Sequence, residues 1–286
     1  MSSSRRGTAA AFGLLPFAAY VLLFLFVPTL IAVGTGFVDE DGTFTWGTVA
    51  ALGNPVVLDA FANSFGLSAL TAVVGAVVGA VACYGLLGAR EHGPLRAVVD
   101  SLSGVLAQFG GVMLAFAFVA TIGIQGLVTV VLRDTFGIDI FADGVWLYEL
   151  PGLVLPYIYF QVPLMIITFL PALQALNPHW AEANATLGGN RATYWFRIAL
   201  PVLAPSFLGS LLLLFANAFS SYATAAALTS QGSQIVPLQI RSALTSETLL
   251  GRENLAGALA LGMILVMGVV MSGYSVLQAR AARWQR

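Results

Sequence analysis

Charged residues are so sparse in this chain that they divide it into six long uncharged runs. A helix needs about 20 mostly apolar residues to cross the hydrocarbon core of a bilayer, which is roughly 30 Å thick. All six runs reach that length, and they comprise residues 7–38, 60–89, 101–132, 150–181, 198–240 and 254–279. The fifth run exceeds one crossing and turns polar at Thr229-Ser-Gln-Gly-Ser-Gln234, so its helix is predicted to end near Leu228. The runs predict an all-α membrane protein with six transmembrane helices.

The composition supports this prediction and excludes several other classes of protein. Apolar residues make up 58% of the chain and charged residues only 9%, against roughly 25% charged residues in a soluble domain. So little charge excludes a disordered chain and a nucleic-acid binder. The chain has no lysine, so it lacks the phosphate-binding loop that needs one. Cys83 is the single cysteine, which excludes an intrachain disulfide and a thiolate metal cluster.

Arginine is distributed unevenly between alternate loops. If the N-terminus lies in the cytoplasm, nine of the twelve arginines are cytoplasmic, and Arg133, Arg241 and Arg252 lie outside. Loops rich in arginine are retained in the cytoplasm, so both termini are predicted to be cytoplasmic. The first run is longer than the apolar region of a secretory signal, which has about 7–15 residues. It is therefore predicted to be a retained helix.

This pattern predicts three segments. Residues 1–59 hold an N-terminal transmembrane helix and an external loop, residues 60–279 form a five-helix core, and residues 280–286 are a cytoplasmic tail. Within the second helix, small residues recur at three- and four-residue spacing, which lets another helix approach closely. They are Ala72, Gly75, Ala76, Gly79 and Ala80.

The loop between the fourth and fifth helices, residues 176–201, is long enough to hold structure of its own. Asn177-Pro178 is typical of a helix start, and Gly188-Gly189 of a helix end. A second helix is predicted over Arg191–Leu200, ending at Pro201. One face of the first helix carries small residues that another protein could approach closely, namely Ala181, Ala185 and Gly188.

Three parts of this loop together resemble a known motif. Glu182-Ala183-Asn184, then Gly188 after three residues, then Ile198-Ala199-Leu200-Pro201 after nine more, resemble the E-A-A-x3-G-x9-I-x-L-P loop of permease subunits of binding-protein-dependent ABC importers. Asn184 departs from the family, which usually has alanine there. The resemblance implies the type I permease fold. It also implies that this loop couples to a cytoplasmic ATPase through Glu182, Ala183, Gly188, Ile198, Leu200 and Pro201.

The same resemblance implies partners and a location. A cytoplasmic ABC ATPase dimer would hydrolyse ATP, a second permease subunit would complete the pathway, and a solute-binding protein would deliver the solute from outside. The chain itself would be non-catalytic, without cofactor or metal, in a bacterial or archaeal plasma (inner) membrane and in contact with lipid. Phe215–Thr224 and Ile235–Ile240 most resemble the polyamine and aminophosphonate permeases, which implies a substrate of that type.

Two sets of residues keep alternative interpretations. Glu182 either forms a salt bridge to a basic residue of the ATPase or caps the backbone of its own loop. Uncharged polar residues recur on the fifth helix at three- and four-residue spacing, and they either line a translocation path or form hydrogen bonds between helices. These residues are Asn217, Ser220, Ser221 and Thr224.

Other functions fit the sequence less well. Ser68 has no candidate base within a span, because His92 and His179 both lie in predicted loops, and a serine nucleophile needs a base within hydrogen-bond reach. An ion-coupled secondary transporter usually has ionisable groups near the membrane midplane, and the cores of the six runs contain none. A membrane scaffold is the third alternative. The acidic outer loops either attract a cationic substrate or a receptor, or simply fill the loops that arginine avoids.

Overall fold

Six helices span the hydrophobic part of the protein. The computed structural model describes residues 14–39, 42–90, 93–229, 235–245 and 252–284. Within them, six helices are long and apolar enough to cross a membrane: Leu14–Thr35, Pro55–Leu86, Gly111–Phe136, Leu150–Gln174, Arg191–Phe219 and Asn254–Val276. The only β-type pairing in these residues is an isolated bridge between Val38 and Phe44. The predicted six-helix, all-α membrane architecture is confirmed.

Some sequence predictions concern residues that the structure does not describe. Arg5, Arg6 and Arg286, which contribute to the predicted orientation, lie outside the described residues, as do residues 230–234 of the polar loop. The cytoplasmic location of both termini therefore stays a prediction.

We number the main helices in chain order. They are α1 (Leu14–Thr35), α2 (Pro55–Leu86), α3 (Pro94–Gln108), α4 (Gly111–Ile122), α5 (Leu127–Phe136), α6 (Val154–Gln174), α7 (His179–Thr186), α8 (Arg191–Phe219), α9 (Ala223–Leu228), α10 (Val236–Thr245) and α11 (Arg252–Trp284). The chain divides into two compact units: Met1–Leu58 with Gln239–Leu265, and Asp59–Leu238 with Val266–Arg286.

In the first unit, α1 and the beginning of α11 approach each other backbone to backbone. A Cβ atom on Gly36 would lie 2.6 Å from the backbone nitrogen of Ala258. Gly257 faces Gly36 in return, and a Cβ atom there would overlap Thr35 and the Gly36 nitrogen. Glycine is required at both positions because any side chain would push the two segments apart.

In the second unit, α2 and α6 pack through the small residues that the sequence identified. A Cβ atom on Gly75 would lie 2.7 Å from Cβ of Gln161, and one on Gly79 would lie 2.5 Å from Cβ of Met165. Ala72 and Ala76 are buried on the same face. The predicted close helix approach is confirmed.

The third span begins later than its uncharged run suggests. The run starts at residue 101, but residues up to Gln108 belong to α3, which packs along α6. The chain then breaks at Phe109-Gly110, and Gly111 has φ +71°, a conformation that glycine adopts without steric cost. Hydropathy cannot register this break because the residues on both sides are apolar.

The fifth span differs from the prediction at both ends. The helix predicted to stop at Pro201 continues through it to Phe219. Proline lacks an N–H and its ring clashes with the carbonyl four residues earlier, which here belongs to Arg197. A π-helical turn over Trp195–Ala199 widens the helix at that carbonyl. At the other end, the helix expected to reach Leu228 stops at Phe219, and the separate helix α9 begins at Ala223.

Candidate functional site

The loop between α6 and α8 contains a short helix with well-formed ends. The Asn177 side-chain oxygen accepts a hydrogen bond from the backbone nitrogen of His179 at 3.0 Å, where α7 begins. Gly188 has φ +77°. The Gly189 nitrogen donates to the Asn184 carbonyl at 2.8 Å, and the Gly188 nitrogen donates to the Ala185 carbonyl at 3.0 Å. This pair of bonds is a Schellman motif, so α7 has the beginning and end that its sequence predicted.

Two asparagines join α7 to α8. The Asn184 side-chain amide donates to the Asn190 carbonyl at 3.1 Å. The Asn190 side-chain oxygen accepts from the backbone nitrogen of Thr193 at 2.9 Å and so caps the start of α8. Asn184, the residue that departs from the family pattern, therefore forms a tie between the two helices that alanine cannot form. The capping role of Asn190 was missed, although asparagine before a helix is its sequence signal.

Glu182 is paired within α7. Its carboxylate oxygen Oε2 lies 3.0 Å from Nδ1 of His179, and both side chains are more than two-thirds exposed. The described contact is thus with a side chain and not with the loop backbone. Ala183 and Gly188 are also exposed, so this surface of α7 is free to meet another molecule.

Trp180 connects α7 with the spanning helices. Its side chain lines a cavity of about 540 Å³ between the end of α6 and the start of α8, together with Ile198 and Pro201. The cavity brings two of the predicted coupling residues beneath α7. Leu200 is exposed on the other side of α8 and lines a separate groove. Trp180 was not identified as functional from the sequence. The one sequence feature that could have indicated it is its size, since it is a large aromatic residue in the first turn of a helix that otherwise has mostly small residues.

The four predicted pathway residues do not share one continuous helix face. Asn217 and Ser220 are exposed and Ser221 is half-buried, whereas Thr224 is completely buried. The break between α8 and α9 separates Thr224 from the other three residues. The Tyr157 hydroxyl stabilises this break by donating to the Ser221 carbonyl at 2.9 Å. The Thr224 hydroxyl accepts from the Gly111 nitrogen at 2.9 Å, which holds the start of α4.

Gln161 of α6 is a completely buried polar side chain at the contact with α2. Its amide nitrogen donates to the Thr71 hydroxyl at 2.8 Å, and that hydroxyl donates in turn to the Leu67 carbonyl at 2.8 Å. Its amide oxygen has no hydrogen-bond partner among the described residues. The contact is a hydrogen bond between helices, which is the common role of polar residues inside a membrane bundle.

Comparison with known proteins points to one group. No protein-family model matches the chain. The spermidine/putrescine transport permease PotB of Haemophilus influenzae is 21% identical over 263 residues, which cover 90% of this chain and 89% of PotB. The ferric transport permease FbpB of Actinobacillus pleuropneumoniae is 26% identical over 210 residues. That match covers 73% of this chain but only 30% of FbpB. Other relatives are named for trehalose, sulfate or molybdenum transport.

Solved structures agree with these relatives on the fold. A bacterial ABC transporter that imports the polysaccharide alginate matches with a TM-score of 0.75 at 18% identity, covering 99% of this chain and 98% of that chain. The alginate transporter in complex with an alginate-bound periplasmic protein gives 0.71 at 19% identity, covering 96% of both chains.

The six spanning helices make this a multi-pass protein of the inner membrane, with a glycine-terminated helix between its fourth and fifth spans. Along nearly its full length the chain is similar to a permease subunit of a transport system, and it has the type I fold of ABC importer permeases.

Proposed function

We propose that this chain forms half of the translocation pathway of an ATP-driven importer for a small solute. Residues 182–201 would transmit the motion of a cytoplasmic ATPase to that pathway. The observation that carries the proposal is that α7 is exposed and yet firmly attached to α8. A force on α7 would therefore move α8 and would not be lost in a flexible loop.

The geometry of α8 supports a mechanical role. The helix runs without interruption from Arg191 to Phe219, roughly 43 Å at 1.5 Å per residue. Its first turns lie beside α7, and its last turns carry the exposed Asn217 and end at Ser220. Closure of an ATPase dimer would displace α7, and α8 would deliver that displacement to the polar end of the helix. This is a rigid-body change of the kind that switches access between two sides.

The proposal includes three partners. Two ATPase subunits hydrolyse ATP, while this chain carries out no chemistry. A second permease, either a related chain or another copy of this one, supplies the second coupling loop. An extracytoplasmic solute-binding protein delivers the solute. For the pathway itself we propose Asn217, Ser220 and Ser221, which are exposed or half-buried in the single chain. Thr224 is completely buried, and its hydroxyl accepts from the Gly111 nitrogen at the start of α4.

For the substrate we propose a polyamine or an aminophosphonate. The match to PotB along nearly its full length supports the polyamine, and so do four acidic residues at the end of α5 and in the segment between α5 and α6, which would favour a cation. They are Asp134, Asp139, Asp143 and Glu149. Uptake of labelled spermidine by vesicles containing the complete complex tests this directly. If trehalose or sulfate inhibits this uptake and putrescine does not, the proposal of a polyamine substrate is rejected.

Replacing one exposed alanine of α7 tests the coupling role. Ala185→Trp places a large ring on the exposed surface of α7 without displacing a buried side chain. We expect it to reduce ATP-dependent uptake and ATPase co-purification at least about tenfold, since docking surfaces of small residues tolerate little added volume. Ala97→Trp is the matched control, because Ala97 is an exposed alanine of α3.

The outcomes separate the classes of function. Normal assembly and uptake in Ala185→Trp would contradict the coupling role. Uptake that continues without ATP and stops only when an ion gradient collapses would identify a secondary transporter. If the complete complex moves no solute at all, the membrane scaffold is the function that remains for this chain.

A further inference from the structure

An apolar groove runs along the second unit where α2, α6 and α8 meet. Its volume is about 530 Å³, and every residue that lines it is apolar or aromatic. Phe169, Phe207 and Leu208 lie toward one end, and Tyr84 and Trp195 toward the other. Tyr84 and Leu208 are among the exposed side chains of the chain, so the groove opens outward.

A second, more polar recess adjoins the groove. Its volume is about 240 Å³, and Leu173 and Trp195 line both cavities. The recess also contains Arg96 from α3 and Gln174 from the end of α6. Polar and apolar linings are therefore continuous, with the indole of Trp195 at the boundary.

All three helices show the same order from apolar groove to polar recess. On α2 the lining passes from Ala80 through Tyr84 to Leu86, and on α6 from Phe169 through Leu173 to Gln174. On α8 it passes from Leu208 back to Trp195 and Tyr194. The groove occupies about 20 Å of α8 between Leu208 and Trp195, at 1.5 Å per residue.

Aromatic rings mark the level at which this order changes. Tyr84 and Trp195 pack edge to face with ring centroids 5.2 Å apart, and Tyr194 adjoins Trp195 at 6.0 Å. Tyrosine and tryptophan concentrate at the boundary between hydrocarbon and headgroups. The groove therefore lies at the depth of acyl chains and the recess at the depth of headgroups.

Arg96 gives the recess a positive charge that is largely shielded from water. Its side chain is only 12% exposed, whereas that of Asp100, its ion-pair partner, is 51% exposed. The pair joins Nε of Arg96 to Oδ2 of Asp100 at 3.2 Å. A guanidinium has five N–H donors, so this single contact leaves donors for a second anion, and phosphate is the anion whose geometry suits the guanidinium fork.

We propose that the groove and the recess together bind one anionic phospholipid. One acyl chain lies along the groove between α2 and α8, and the phosphate accepts hydrogen bonds from Arg96. A phospholipid has the same order of parts as the lining of the two cavities: hydrocarbon, then an interfacial region, then a negative charge. The site lies outside α7, although Trp195 and Leu200 also belong to the proposed coupling segment 182–201, and lipid binding does not require the ATPase.

The test uses the full-length chain in nanodiscs of phosphatidylcholine. A trace of phosphatidylglycerol carrying a photoreactive group on its acyl chain is added, and labelled peptides are mapped by mass spectrometry. We expect labelling at 80–84 and 204–208, suppressed by unlabelled phosphatidylglycerol and not by further phosphatidylcholine. Arg96→Gln should reduce the labelling about tenfold, the effect of one lost charge-assisted hydrogen bond, while Arg96→Lys should retain most of it.

Two further variants locate the site. Ala204 is an exposed alanine of the groove wall, so Ala204→Phe fills the groove without disturbing the core and should move the label elsewhere. Arg133→Gln is the matched control, because Arg133 also pairs with an aspartate, Asp134, at 3.3 Å and lies outside both cavities. It should leave the labelling unchanged.

Three results would overturn the proposal. The first is equal labelling by photoreactive phosphatidylcholine. The second is unchanged labelling in Arg96→Gln. The third is an unlabelled groove with a disulfide between two copies of the chain carrying Ala204→Cys in a Cys83→Ser background, which would show that a second permease covers this face. Each variant is first checked for a single elution peak and unchanged thermal unfolding, so that misfolding is recognised.

Discussion

At the scale of single residues, two glycines of α2 have different surroundings. A Cβ atom on Gly79 would meet Cβ of Met165 at 2.5 Å and the Val162 carbonyl at 3.0 Å. A Cβ atom on Gly85, in the same helix, would meet nothing within 4 Å. The two positions therefore allow the same substitution to be compared with and without a neighbouring helix.

We predict opposite effects for Gly79→Ala and Gly85→Ala. Gly79→Ala should destabilise the detergent-solubilised protein by about 1–3 kcal/mol, because neither Cβ of Met165 nor a backbone carbonyl can move aside easily. Gly85→Ala should be neutral or stabilise by about 0.5 kcal/mol, since alanine is the better helix former. Thermal unfolding followed by circular dichroism measures both. Equal unfolding temperatures for the two variants would show that α2 and α6 are farther apart than described.

At the scale of elements, the join between α7 and α8 depends on a coupled pair of residues. Asn184 reaches across to the Asn190 carbonyl, and a Cβ atom on Gly189 would overlap the side-chain amide of Asn184. The glycine at 189 is therefore required because residue 184 is asparagine, and alanine at 184 would remove that requirement.

A double-mutant cycle tests this dependence. Gly189→Ala alone should expel the Asn184 side chain and cost about 1 kcal/mol of local stability, the value of one hydrogen bond. In an Asn184→Ala background the same change should cost much less, giving a coupling energy of at least about 0.5 kcal/mol. Hydrogen exchange of peptides covering 182–193 measures local opening. Strictly additive effects would mean that the two side chains act independently.

The two spans containing π-helical turns show how local structure accommodates proline. A π-turn over Leu22–Phe26 precedes Pro28 in α1, and one over Trp195–Ala199 precedes Pro201 in α8. In each case the carbonyl four residues before the proline belongs to the π-turn, where the widened backbone relieves the clash. Pro201, the last residue of the motif, therefore lies inside a continuous helix and does not end it.

At the scale of the whole molecule, the predicted orientation can be tested because Cys83, the single cysteine, is fully buried. The natural chain should not react with a membrane-impermeant maleimide. Ala185→Cys, in α7, should react only from the cytoplasmic side, and Asp143→Cys, in the exposed segment before α6, only from outside. Labelling of intact cells compared with inverted vesicles measures this. Reaction of Ala185→Cys in intact cells would reverse the orientation and remove α7 from reach of any cytoplasmic ATPase.

Several features were predictable because they depend on transfer free energy or on local backbone chemistry. Six runs without charge predicted six spans, since a charge in the hydrocarbon core is costly. Gly75 and Gly79 predicted a close helix contact, and Gly188-Gly189 predicted the end of α7, because only glycine relieves the steric conflict that each position imposes. The breaks at Gly110-Gly111 and Ser220-Ser221 were not predicted. They are stabilised by Thr224 and Tyr157 from distant parts of the chain.

The sequence by itself thus determined the class of the protein, the number of its spans and the position and limits of α7. The tertiary structure alone decided which polar residues are exposed, where the third and fifth spans begin and end, and how α7 is held against α8. The physical reason is the separation along the chain over which each kind of interaction acts. Hydrophobicity, helix capping and glycine conformation act within a few residues, whereas the contacts that bury Thr224, place Trp180 over the α6–α8 cavity and enclose Arg96 join residues far apart in the chain.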